Sequence, residues 1–218
     1  IMLGSVFAYM MRGGASEKRE VFLRLDDFRE YVNVTPVGAY YFQYVDLASM
    51  TALNKDDPLR KFAENALDGM LDKNIFNRMV LEVPGGFKRI YSASYTPAIS
   101  LYLVDANLSK VYFAKDAEDR YGRFTVQLKR GGIALVDQIS PFAVGYAPLV
   151  IKMIDVIDGK NESVANETYR YLSRINSSFV YAYFMYGDVV RQSVKADNES
   201  VADFFFEGYR YNTTNHSY

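Results

Sequence analysis

RIYSASYTPAISLYLVD, residues Arg89–Asp105, is the stretch that decides the fold predicted for this chain. It holds two runs rich in tyrosine, serine and aliphatic residues, Arg89–Tyr95 and Ile99–Asp105, and Pro97 separates them. Runs of this composition with a turn residue between them are typical of neighbouring β-strands. We therefore expect two strands here, and a sheet as the main element of the fold.

Similar strand-like runs occur on both sides of this stretch, and the amino-acid composition of the chain also favours strands. The chain has 19 Tyr and 15 Phe, which are residue types that strands favour. The further predicted strands are Val21–Leu25, Ala39–Leu47, Phe76–Val83, Lys110–Ala114, Arg123–Lys129, Ile133–Val136, Phe179–Tyr186 and Phe204–Tyr211. The polar segment KDAEDRYG, residues 115–122, is expected to form a turn between two of them.

Helices are predicted at few places. Asp57 and Pro58 form a capped helix start, and apolar residues follow at helical spacing from Leu59 to Met70. A second helix is expected from Ser163 to Ile175, with Asn166 on its exposed side. The stretch 148–158 fits a buried strand and a helix equally well. Together these elements predict an α+β fold with antiparallel sheets and few helices.

A spacing of 105 residues suggests an internal repeat. The matching pairs are Pro36 with Pro141, Tyr41 with Tyr146, Val45 with Val150, Leu67 with Leu172, and Asn107 with Asn212. This predicts an apolar N-terminal segment at 1–14, a first α+β unit at 15–113 and a similar second unit at 114–218. Because the identities are few, chance alignment is the alternative.

Charge and cysteine content exclude several classes of function. The net charge is −1 over 218 residues, so no basic field attracts phosphate backbones and we expect no nucleic-acid partner. The chain has no cysteine, which excludes disulfides, thiolate metal sites and thiol nucleophiles. We expect no cofactor and no metal.

Acceptor sequences for N-linked glycans are far more frequent than chance allows. The chain has 12 Asn and 22 Ser and Thr residues, which would give about one Asn-X-Ser/Thr sequence at random. Eight of the asparagines begin one: Asn33, Asn107, Asn161, Asn166, Asn176, Asn198, Asn212 and Asn215. The structural alternative is that Asn, Ser and Thr share turns and caps. The excess, without cysteine, points to a glycoprotein of an archaeal cell surface.

The first eleven residues, IMLGSVFAYMM, carry no charge. They are too few to span a bilayer, which takes roughly 20 apolar residues. They suit either part of a membrane anchor or signal segment, or a strand exchanged with a neighbouring subunit. The residues expected to make this anchor or assembly contact are Ile1, Leu3, Val6, Phe7, Tyr9 and Met11.

The sequence contains no convincing catalytic or ligand-binding motif. The single histidine, His216, is expected to lie in a solvated tail, and no nucleophile, metal or nucleotide motif occurs. Acidic pairs such as Asp26 with Asp27 and Asp56 with Asp57 fit solvated turns better than an acid–base site. Strand tyrosines such as Tyr41 and Tyr183 fit the edge of a core better than a platform for sugars.

These observations predict a non-catalytic, N-glycosylated extracellular protein, membrane-anchored or built into a surface assembly. Its expected partners are further copies of itself, another surface protein, or the membrane through its N-terminus. The main alternative is a membrane-anchored extracytoplasmic module that binds a ligand or solute. A carboxylate-dependent hydrolase acting on surface polymers is the third hypothesis.

Overall fold

The structure is a computed structural model that describes residues 20–50, 53–70, 81–82, 86–107, 111–175, 179–193 and 203–210. Its strands are β1 Leu23–Arg24, β2 Tyr41–Asp46, β3 Leu81–Glu82, β4 Arg89–Thr96, β5 Ile99–Asp105, β6 Tyr112–Phe113, β7 Ala117–Tyr121, β8 Phe124–Lys129, β9 Ile133–Val136, β10 Ile139–Ser140, β11 Phe142–Tyr146, β12 Tyr181–Tyr186 and β13 Phe204–Tyr209. Its helices are α1 Phe28–Val34, α2 Pro58–Met70, α3 Ala147–Ile157, α4 Val164–Leu172 and α5 Asp188–Ser193, with a 3₁₀ turn at Ala48–Met50.

A nine-stranded antiparallel sheet forms the centre of the molecule. The strand order is β13-β12-β2-β4-β5-β11-β9-β8-β7. β1 pairs with β10 in parallel, and β3 pairs with β6. The predicted α+β class with antiparallel sheets is confirmed.

Helices cover both faces of this sheet, so the molecule has three layers. One face packs against α1, α3 and α4, and residues such as Phe42, Tyr91 and Leu103 are fully buried there. The opposite face packs against α2, over residues such as Val45 and Ile90. Burial on both faces explains why the middle of β5 is apolar without alternation, since a central strand here has no solvent side.

Local chemistry explains where the helices begin. The Asp27 carboxylate accepts hydrogen bonds from the Arg29 and Glu30 amides at 2.8 and 3.0 Å, which caps α1. The Asp57 carboxylate accepts from the Leu59 amide at 2.9 Å, as the predicted start of α2 requires. Side-chain oxygens at these positions satisfy amides that have no partner within the helix.

The ambiguous stretch 148–158 is helical, as α3. Pro148 lies in the first turn, where its missing N–H costs nothing, whereas in a central strand it would remove a ladder hydrogen bond. The four buried positions Leu149, Val150, Met153 and Ile154 form one helix face against the sheet.

One sequence prediction was wrong. The segment 115–122 is largely a strand, β7, and not a turn, because an edge strand whose residues 117–120 are exposed can be polar. The strand expected at Val21–Leu25 is present as β1, but the helix α1 that follows it was not predicted. Of the strand expected at 76–83, only Leu81–Glu82 is described.

Strands from both predicted units share the one sheet. β2 lies between β4 and β12, and β11 lies beside β5, so the boundary near residue 113 does not separate two sheets. The 105-residue alignment also pairs Val45 of a strand with Val150 of a helix. The division into two similar α+β units, 15–113 and 114–218, stays a prediction.

Candidate functional site

Four of the eight acceptor asparagines lie in the described residues. Asn33 in α1, Asn107 after β5 and Asn166 in α4 are exposed, and Asn161 before α4 is half-buried. The other four, Asn176, Asn198, Asn212 and Asn215, lie outside the described residues. So do the six residues of the predicted anchor or assembly contact, Ile1, Leu3, Val6, Phe7, Tyr9 and Met11.

The hydroxyl residues of three of these acceptor sequences also have structural roles. Buried Thr35 donates its hydroxyl proton to the Tyr31 carbonyl at 2.7 Å, and its oxygen lies 2.8 Å from the Tyr91 hydroxyl. Ser163 caps α4 by accepting from the Ala165 amide at 3.0 Å. Buried Thr168 bonds the Val164 carbonyl at 3.0 Å. Part of the excess of acceptor sequences therefore has a local explanation.

The acidic residues considered for acid–base chemistry serve local structure. Asp27 and Asp57 cap helices, and Asp116 accepts from the Arg130 amide at 2.7 Å. The Asp56 carboxylate pairs with Lys61 at 2.9 Å. In the part of the chain that the structure describes, no group of three or more His, Asp or Glu could hold a metal ion.

The two edges of the nine-stranded sheet differ in chemistry. β7 forms one edge and exposes Glu118, Asp119 and Arg120, and charges of this kind discourage pairing with another chain. β13 forms the other edge, and within the described ranges no strand pairs with its outer side. Phe204 and Phe205 lie on opposite faces of β13 and are exposed at 40% and 39% of their surface. Edge strands with exposed apolar side chains are sites of strand addition.

An aromatic surface continues from this edge across the α2 face of the sheet. It consists of the exposed rings of Phe62, Phe205 and Tyr209 and the half-buried rings of Tyr41 and Tyr183. Buried Tyr181 lies against Phe62 and Tyr209. Neighbouring rings are in contact: the centroids of Tyr41 and Tyr183 are 5.0 Å apart, and those of Tyr183 and Phe205 are 5.7 Å apart. Phe62 of α2 joins the surface at 5.4 Å from Tyr209. Large, rigid rings of this kind are enriched at protein interfaces.

A groove with basic and aromatic walls lies on the other face of β13, against α4. It has a volume of about 450 Å³, is open to solvent, and is lined by Arg170, Tyr171, Arg174, Ile175, Phe204 and Phe206. We call it the basic groove. The Tyr171 and Phe204 rings stack at 4.5 Å with 25° between their planes, and the Arg170 guanidinium lies 4.5 Å from the Tyr171 centroid.

Sequence reasoning missed both surfaces around β13. The run FFFEGYRY predicts a strand, but it does not show that this strand lies at the edge of the sheet. Strand order depends on pairing between segments that are distant in the sequence. The basic groove joins residues 170–175 to Phe204 and Phe206, which the chain separates by about thirty positions. One signal was present: Arg170 and Arg174 are four residues apart on the predicted helix, so they share one face.

Among the described residues, no helix is both long and apolar enough to cross a membrane.

Comparison with known proteins gives one family and one relative. The model of the AF_2048_N family N-terminal domain matches residues 24–158, which is more than half of the chain. An uncharacterized protein of Archaeoglobus fulgidus is 53% identical over 218 residues, and the alignment covers 100% of this chain and 71% of the relative. No solved structure matches the chain.

Proposed function

The chain belongs to the AF_2048_N family, and we propose that it is a non-catalytic, N-glycosylated protein of an archaeal cell surface that assembles with copies of itself. The archaeal source of its relative agrees with an archaeal setting. The observation that carries the proposal of assembly is the outer edge of β13, which lies beside the aromatic surface. The opposite edge, β7, is charged, so the two ends of the sheet are built for different surroundings.

A second copy of the chain is the proposed occupant of this edge. Two β13 strands can pair antiparallel about a twofold axis, because the same strand supplies both sides of an isologous contact. Such pairing would extend the nine-stranded sheet into the partner. It would give hydrogen-bond partners to the outer backbone groups of β13, with which no described strand pairs. It would also bring the exposed rings of Phe205 and Tyr209 from the two copies together.

Residues 1–11 are the alternative source of the added strand. In that version the apolar N-terminus of one copy pairs with β13 of the next, which forms open polymers instead of closed dimers. Deleting residues 1–11 then abolishes polymers and leaves a folded monomer. Polymers that persist after the deletion would rule out this version and leave the twofold pairing.

A lysine on β13 should weaken assembly. We expect Phe205→Lys to reduce self-association by about tenfold or more, since it puts a charge where a partner strand would remove water. Analytical ultracentrifugation over a range of protein concentrations measures this. Asp119→Lys on β7 is the matched control and should leave association unchanged. A wild-type protein that stays monomeric at every concentration, or equal association of both variants, would refute assembly through β13.

Glycosylation is tested on protein purified from its native cells. We expect glycopeptide mass spectrometry to find sugar on the exposed residues Asn33, Asn107 and Asn166, because an attached glycan there would extend into solvent. Half-buried Asn161 should be occupied less. An intact mass equal to that of the bare polypeptide would remove the main support for the surface location.

A ligand-binding module is the second candidate function. The basic groove favours it, because this groove combines stacked aromatic rings with two guanidinium groups in a concave site. This function is compatible with assembly, since the groove and the aromatic surface lie on opposite faces of β13.

A further inference from the structure

We propose that the basic groove binds an acidic saccharide, a sugar chain that carries carboxylate or sulfate groups. The inference rests on the second candidate function above and names its ligand class. It is independent of assembly, whose readout is the oligomeric state.

Among the described residues, no carboxylate lies within salt-bridge distance of the two arginines of the groove, Arg170 and Arg174. The nearby acidic side chains have other partners: Glu167 accepts from the Tyr186 hydroxyl at 2.6 Å, and Asp203 pairs with Arg191 at 2.9 Å. Arg170 donates to the Tyr171 hydroxyl through Nη2. With no described counterion, the other N–H groups of the two guanidinium groups can bind an anion through paired hydrogen bonds.

The helix dipole explains the position of only one of these two arginines. Arg170 lies in the last turn of α4, where a positive charge complements the helix dipole. Arg174 follows the end of the helix and adds a like charge close by, which is unfavourable without an anion. The dipole also gives no reason for the aromatic wall beside them.

The aromatic wall selects a ligand with a flat apolar face. Phe204 is 40% exposed although it stacks on Tyr171, so one side of the stacked pair is available. Aromatic rings stack on the C–H faces of sugar rings, and the open groove leaves the sugar hydroxyls in water. A wholly apolar ligand would instead require an enclosed site.

Single-stranded nucleic acid also combines rings with negative charge, but the chain as a whole disfavours it. The net charge is −1, whereas proteins that bind such strands have an extended basic track along the backbone. Two arginines in a short groove match a few acidic sugars better.

Isothermal titration calorimetry with trigalacturonate tests the proposal. We expect wild-type protein to bind it, and to bind neutral maltotriose at least about tenfold more weakly, because only the acidic sugar pairs with the arginines. The double variant Arg170→Gln/Arg174→Gln should lose at least about tenfold in affinity for trigalacturonate. Arg120→Gln, on β7 at the far edge of the sheet, is the matched control and should bind like wild type.

Three results would overturn the inference. They are the absence of trigalacturonate binding to wild-type protein, equal affinity in the double variant, and tighter binding of oligothymidylate that depends on the same two arginines. Far-UV circular dichroism of the double variant shows that it is folded. Failure of this test leaves assembly through β13 unaffected, because ultracentrifugation measures assembly without any sugar.

Discussion

Raising the pH above about 10 should unfold this protein in one cooperative step, because its core contains tyrosines that must stay neutral to remain buried. Tyr31, Tyr44 and Tyr91 lie between the sheet and α1 and are almost completely buried. Burial raises the pKa of Tyr91 well above its usual range, and burial is also the main cause of the raised pKa of Tyr31 and Tyr44.

The sign of the effect follows from where the proton is lost. In the unfolded chain each tyrosine loses its proton near pH 10, whereas the folded protein keeps it to higher pH. The unfolded state therefore binds fewer protons above pH 10, and the free energy of unfolding falls as the pH rises. Below pH 10 both states are protonated and the contribution is fully present.

The magnitude is large because several tyrosines act together. Each one lowers the free energy of unfolding by about 1.4 kcal/mol per pH unit above its unfolded pKa, so the three give about 4 kcal/mol per unit. A typical domain has about 5–15 kcal/mol of stability. Unfolding is therefore expected between about pH 11 and pH 14.

Tyrosinate absorbance and far-UV circular dichroism, recorded on the same samples, measure this. Ionisation of tyrosines outside the core should come first, without loss of secondary structure. The remaining ionisation should coincide with unfolding. Tyr91→Phe should make the pH dependence shallower, whereas Tyr112→Phe should leave it unchanged. Complete ionisation of all tyrosines in a protein that is still folded would contradict the prediction.

Much of the fold follows from local sequence patterns. The strand pair in Arg89–Asp105 and the capped helix at Pro58 were predictable because turn residues and caps act within a few positions. β11 was not, since Pro141 and Gly145 both weaken a strand prediction. Gly145 is required there because a Cβ atom would lie 2.6 Å from the Ser100 carbonyl oxygen of the adjacent strand.

The candidate surfaces were less predictable than the elements that form them. The sequence shows aromatic residues in Phe204–Tyr211, but only the strand order places β13 at an edge beside β12. The partners of Arg170 and Arg174 likewise depend on which carboxylates lie nearby in space, not in sequence. Whether a side chain is exposed depends on how the helices and the sheet pack together, and a local sequence pattern does not determine this.

Removing the Phe42 ring should cause the largest loss of stability of any single change considered. Phe42 of β2 is fully buried, and its centroid lies 5.4 Å from Phe184 and 6.1 Å from Tyr186, both on β12. We expect Phe42→Ala to lower the free energy of unfolding by about 3–5 kcal/mol, because it leaves a cavity in the centre of the aromatic core. Urea denaturation followed by circular dichroism measures it.

The same experiment tests how the two predicted units are coupled. Phe42 belongs to the first unit, and two of its ring partners, Phe184 and Tyr186, belong to the second. One cooperative transition should therefore shift as a whole in the variant. Phe205→Ala is the matched control, because this ring is 39% exposed on the edge strand and should cost about 1 kcal/mol or less. Two separate transitions, of which Phe42→Ala moves only one, would show instead that residues 15–113 and 114–218 unfold independently despite their shared sheet.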